Sequence, residues 1–140
     1  MIDIAGLRKR VEAASGPDRE LDADLWWHFD RAAAGRHYHT GRVGLPQPLP
    51  ETLTSGGLGR AAVQQAAPKF TASLDASLAL VEKVLPPLGS VPSFDCLEAY
   101  PNGWHATVGY SVHKQTSHLA PTASLAILAA LLAALEARDA

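Results

Sequence analysis

From Ala123 to Leu135 the chain carries no charged side chain, and alanine, leucine and isoleucine fill nearly every position. A run this long falls short of the roughly 20 apolar residues that cross a bilayer, so it reads as a buried helix. Leu125, Leu128, Leu132 and Leu135 give its main stripe, Ile127 and Leu131 broaden it, and Pro121 and Thr122 mark its start. A helix apolar over so much of its circumference has to be covered on more than one side. The rest of the chain must supply those covers.

The clearest cover is a β-hairpin. Ser93 to Tyr100 is a candidate strand, and Pro101-Asn102-Gly103 is strong turn chemistry. Trp104, Ala106, Val108, Tyr110 and Val112 then alternate with His105, Thr107, Gly109, Ser111 and His113. That period of two means one packed face and one polar face. A turn so short joins antiparallel strands only. Trp104 falls on the apolar face and reads as core. The polar-looking face, with His105, Thr107 and Ser111, would lie under a helix or loop, where Gly109 permits close approach.

Three further helices are expected. Ile4, Leu7, Val11 and Ala14 share one stripe, with Asp3 as the N-cap. Ser15-Gly16-Pro17-Asp18 breaks and restarts the chain, and a second helix runs from about Asp18 to Ala33. Leu21, Leu25, Phe29 and Ala32 form its apolar stripe, widened by Trp26. A third starts near Thr71 or Ser73, buries Leu74, Leu78, Val81 and Leu85, and ends at Pro86-Pro87. Between Gly35 and Pro68 the pattern decays. One short strand is expected at 36–42, and a proline- and glycine-rich loop at about 41–67, unusual enough in length to be a specialised surface feature or mobile. Lys114 to Ala120 reads as a last loop.

Composition narrows the function classes. With 47% hydrophobic residues, a chain of 140 residues can bury a core as a single domain without staples. The net charge of −2 offers no field for nucleic acid or an anionic membrane. The short basic run Arg8-Lys9-Arg10 sits beside Asp3 and Glu12 and reads as a solvated helix face. The single cysteine, Cys96, precludes an internal disulfide and suits a reducing compartment. The first residues already read as helix and carry Asp3, so no signal segment is expected.

Candidate chemistry is sparse. Glu20, Asp24 and His28 share a helical stripe, a pattern that could bind a divalent ion or share a proton, and equally the pattern of a solvated face. His37 and His39 would point to one side of a strand, and a fold-back of the corner after the second helix would join them to His28 as a metal site. His105 and His113 are separated by roughly 26 Å of strand and cannot share an ion. Cys96, if it lies on one face with Phe94 and Tyr100, is a small buried hydrophobe. No nucleophile elbow, phosphate loop or dinucleotide fingerprint is present in the sequence. No cofactor is expected. Trp26 and Trp27 point about 100° apart on their helix. Trp26 is then core, while Trp27 and the nearby Tyr38 are candidates for an aromatic binding surface, or for a cover over the proline-rich loop.

Three segments carry a family resemblance. They are Val11-Glu12-Ala13-Ala14-Ser15-Gly16-Pro17-Asp18-Arg19-Glu20-Leu21-Asp22, Phe70-Thr71-Ala72-Ser73-Leu74-Asp75-Ala76-Ser77-Leu78, and Ala120-Pro121-Thr122-Ala123-Ser124-Leu125-Ala126. In order and spacing they resemble small phage and prophage proteins with a phage αβα-sandwich (ABA sandwich) domain. The resemblance touches both ends and the centre; the 36–68 region departs from the family's pattern, being longer and richer in proline and glycine. It implies a phage or prophage origin and a small sheet with helices on both faces, and it implies no chemistry.

The reading as a whole is an α+β domain over 1–140, a mainly antiparallel sheet of three or four strands sandwiched by about four helices. Its expected function is non-enzymatic: an accessory protein that binds a host or phage protein, in the host cytoplasm or on the virion, with no nucleic-acid or membrane partner. The alternative is a metal-dependent enzyme using Glu20, Asp24 and His28 with His37 or His39.

Overall fold

A computed structural model describes residues 3–38, 53, 57–85, 94–111 and 114–139. In chain order these form α1 (Ile4–Ala13), α2 (Arg19–Phe29), α3 (Arg31–Tyr38), α4 (Gly57–Ala66), α5 (Leu74–Val84), β1 (Phe94–Tyr100), β2 (Gly103–Ser111), β3 (Lys114–Ala120) and α6 (Ala123–Asp139). The fold is α+β.

Helix starts follow the capping chemistry. The first amides of a helix have no partner within it, and a short oxygen-bearing side chain satisfies one of them. Asp3 accepts from Gly6 N at 2.7 Å, Asp18 from Leu21 N at 3.1 Å, Ser73 from Ala76 N at 3.2 Å and Thr122 from Leu125 N at 3.2 Å.

The second helix is shorter than the pattern predicts, because Asp30 breaks it. Its backbone leaves helical geometry (φ −144°, ψ 60°) while its N–H still donates to Trp26 O. Its carbonyl and carboxylate then accept from the amides of Ala34 and Ala33, so one residue closes α2 and opens α3. The strand expected at 36–42 is instead helical through Tyr38, the end of α3. Part of the expected loop is α4, and these two changes raise the helix count from about four to six.

The sheet has the order β1-β2-β3 and is antiparallel throughout. The hairpin is the expected one. The third strand is not: Lys114–Ala120, read as loop, pairs with β2 from Trp104–Ala120 to Ser111–Lys114. It is too polar to announce itself. Its sequence is legible as a strand only once a partner is known, because an antiparallel edge strand needs just one half-covered face.

α6 lies across β2 and β3, with α1 and α5 packed behind it. Every residue from Ser124 to Leu132 is buried, as are Ala134 and Leu135. Leu7 and Val11 of α1, Val81 of α5, and Ala106 and Val108 of β2 meet it with no residual exposure. The Thr116 hydroxyl donates to the Ala130 carbonyl at 2.7 Å and pins β3 to the middle of α6. On α5 the expected stripe shifts: Ser77, Leu80, Val81 and Leu85 are buried, whereas Leu74 is 40% exposed. Leu74 is the first helical residue and stands beyond the edge of the core.

Candidate functional site

The two buried carboxylates of α2, Asp22 and Asp24, are structural. Asp24 is buried and takes three guanidinium donors: Arg10 Nη1 at 2.6 Å on Oδ2, and Arg60 Nη1 and Nη2 at 3.0 and 3.2 Å on Oδ1 and Oδ2. Both oxygens are engaged by guanidinium groups. It ties α1, α2 and α4 together. Glu20 faces solvent, and His28 is half-buried with its ring edge-on to Phe29, centroids 4.8 Å apart. Burial, helped by the Arg31 charge, lowers the His28 pKa. Glu20, Asp24 and His28 thus sit in three separate environments: one solvated, one bound by two arginines and one packed against Phe29. Among the described residues no three His, Cys, Asp or Glu side chains converge on a metal position. His37 sits exposed on α3, its ring 5.4 Å from that of Trp26, rather than on a strand. His39 and His113 lie outside the described residues.

A second buried acid, Asp22, has no remaining exposure. Its Oδ1 accepts from Thr71 N and Thr71 Oγ1, both at 2.8 Å, and its Oδ2 accepts from Arg19 Nη1 at 2.9 Å. The Thr71 hydroxyl oxygen in turn accepts from Asp18 N at 2.8 Å. Arg19 Nη2 reaches the Gln64 and Ala67 carbonyls at 2.5 and 2.9 Å and closes the C-terminal end of α4. Sequence reasoning did not find this network. Asp18, Arg19, Asp22 and Thr71 nonetheless fall inside the first two quoted segments, which hydrogen bonds stitch to each other.

The aromatic surface expected on α2 is not there. Trp27 is 2% and Tyr38 9% exposed, and their rings pack on each other with centroids 5.3 Å apart. Tyr38 also presses on Gly59 of α4, where a Cβ would come within 2.5 Å of its ring. Both aromatics belong to the interior.

Exposed large side chains stand instead at the hairpin end of the sheet, Trp104 on one face and Tyr100 and Leu119 on the other. Tyr100, Trp104 and Leu119 are 47, 37 and 41% exposed. Trp104, expected in the core, stands between Ala99 and Ala120, whose methyl groups are too small to cover an indole. Tyr100 pairs with Gly103, which has no side chain at all and whose φ of 148° suits only glycine. Leu119 lies against the same Gly103.

Behind this end runs a short polar row on the sheet. The Tyr100 hydroxyl donates to Glu98 Oε2 at 2.8 Å and the Cys96 thiol to Glu98 Oε1 at 3.1 Å, while the His105 ring stands edge-on to Tyr100. These hydrogen bonds, the Cys96 one foremost, lower the Glu98 pKa, and the Glu98 bond raises that of Tyr100. Cys96 is half-buried, contrary to expectation, because the β1–β2 register shifts between Phe94 and Cys96 and pairs Cys96 with Thr107.

One cleft remains. It measures about 190 Å³ and lies between α2 and α5 over the Pro68–Phe70 link. Trp26, Phe29, Phe70 and Leu80 line it, and Ala76 and Ala79 leave it open. At its mouth Lys83 Nζ and Asp30 Oδ2 form an ion pair of 2.5 Å, the side chains 50% and 31% exposed. That bond, more than burial opposes it, lowers the Asp30 pKa.

Among the described residues no helix is long and apolar enough to cross a membrane. No family model matches the chain, and neither the search of curated proteins nor that of solved structures finds a match.

Proposed function

We propose that this chain acts by binding a protein partner rather than by catalysis, as an accessory protein of phage or prophage type working in the host cytoplasm or on the virion. The observation that carries the reading is the hairpin end, where Trp104 stands exposed on one face of the sheet and Tyr100 and Leu119 stand exposed on the other. Tyrosine and tryptophan are the side chains most enriched at the energetic centres of protein interfaces. The buried acids support the same reading, since guanidinium groups or the Thr71 amide and hydroxyl occupy their oxygens. A net charge of −2 favours a protein over a nucleic acid. The phage assignment rests on the three-segment resemblance alone.

Affinity capture from host and phage-infected lysates tests the proposal. Wild-type protein should retain a defined partner, and Trp104→Ala should weaken its binding about 30-fold or more, as loss of a central aromatic does. Equal capture by wild type, Trp104→Ala and Tyr100→Ala, with all three folded, would refute the hairpin end as the docking surface.

A further inference from the structure

The cleft between α2 and α5 has a chemistry distinct from the hairpin end. Its walls are hydrocarbon and aromatic, and its volume of about 190 Å³ suits one ring or one branched aliphatic chain. For scale, an apolar cavity of roughly 150 Å³ accepts benzene. The two alanines on α5 create this space; a larger side chain at either position would fill it.

The mouth adds the specificity. Lys83 and Asp30 stand side by side there, each satisfied chiefly by the other and each partly open to water. A ligand with a single charge could pair with one of them only by leaving its companion unmatched. A neutral ligand would use neither. A ligand bearing an ammonium and a carboxylate on one carbon replaces one ion pair with two and leaves the mouth neutral. We propose that this cleft binds a free α-amino acid with an aromatic or branched apolar side chain. The side chain enters between Trp26, Phe29 and Phe70, the ligand carboxylate meets Lys83 and the ligand ammonium meets Asp30.

The experiment is a titration of the full-length protein followed by amide and indole NMR shifts. The ligands are L-phenylalanine, phenylacetate (no ammonium), phenethylamine (no carboxylate) and toluene (neither). Phenylalanine should bind saturably at the cleft residues, at least about tenfold more tightly than each of the other three, the scale of a charge-assisted hydrogen bond. Lys83→Met and Asp30→Asn should each weaken phenylalanine by a similar factor and leave toluene unchanged. Asparagine preserves the cap of α3, so Asp30→Asn removes the charge without removing the turn. Ala79→Phe, at an exposed position of α5, should abolish binding of all four ligands with an unaltered melting temperature. Phenylalanine binding no tighter than toluene, or indifferent to both charge substitutions, overturns the amino-acid assignment. Absence of binding by any ligand overturns the cleft as a site, and neither result touches the hairpin end.

Discussion

Replacing Asp24 by asparagine isolates the buried ion network in a single atom change. Asp24 holds Arg10 and Arg60, whose side chains are 34% and 11% exposed. Arg10 can return to water once the charge is gone. Arg60, with α2 and α4 around it, is far less free to do so, and its charge would keep only neutral acceptors, the asparagine oxygen and the Glu20 carbonyl at 3.4 Å. Removing one member of a buried pair costs about 3–5 kcal/mol, chiefly through the charge left behind. With one of two arginines free to resolvate, we expect the lower end, about 3 kcal/mol. With a urea slope of about 1.5 kcal/mol/M, the unfolding midpoint should fall by about 2 M without a change in slope. In an Arg60→Met background the same substitution should cost about 1 kcal/mol, since no buried cation is then stranded. Urea titrations followed by far-UV circular dichroism measure all four proteins. An Asp24→Asn cost that is equal in both backgrounds would refute the argument, because the two residues would then be energetically independent.

Other expectations are more local. Thr71→Val removes a donor from Asp22 and leaves the Asp18 amide unpaired, and should cost about 1–3 kcal/mol in the same titration. Gly59→Ala gains helix propensity of about 1 kcal/mol but drives a methyl into the buried Tyr38 ring, at about 1–3 kcal/mol. The net should be a lower melting temperature. The His28 pKa is lowered in the fold, so the unfolded chain binds its proton first. Stability should therefore fall as pH drops below about 6.5, and His28→Gln should flatten that part of the profile. The Asp30 pKa is also lowered, so its contribution is present above pH of about 4 and is lost as pH falls through the folded value. Asp30→Asn should accordingly destabilise at pH 7 and have little effect in strong acid.

Periodic apolar patterning made much of this fold legible. The α6 stripe, the hairpin with its Pro101–Asn102 turn, and the caps at Asp3 and Ser73 all follow from spacing and local chemistry. What escaped reading was whatever depends on a distant partner. β3 is a strand because β2 lies beside it, and α4 is a helix whose glycines resemble loop. Trp27 and Trp104 exchanged roles for the same reason. Alternation assigns a residue to a face, but coverage of that face depends on neighbours such as Ala99, Ala120 and Tyr38. The site residues suffered most, since Glu20, Asp24 and His28 share a stripe in sequence while Arg10, Arg60 and Phe29 give each a separate environment. The cleft leaves no trace in the sequence because alanines at 76 and 79 announce nothing until a second helix faces them.

The grip on α4 has a mechanical consequence. At one end Tyr38 nests against Gly59, in the middle Arg60 holds Asp24, and at the other end Arg19 clasps the Gln64 and Ala67 carbonyls. Two handholds from α2 and one from α3 locate this helix. A cut between residues 39 and 52 should thus yield two pieces that stay together and reassemble after dilution from denaturant, and chain ends relocated to that stretch should leave the rest of the protein in register.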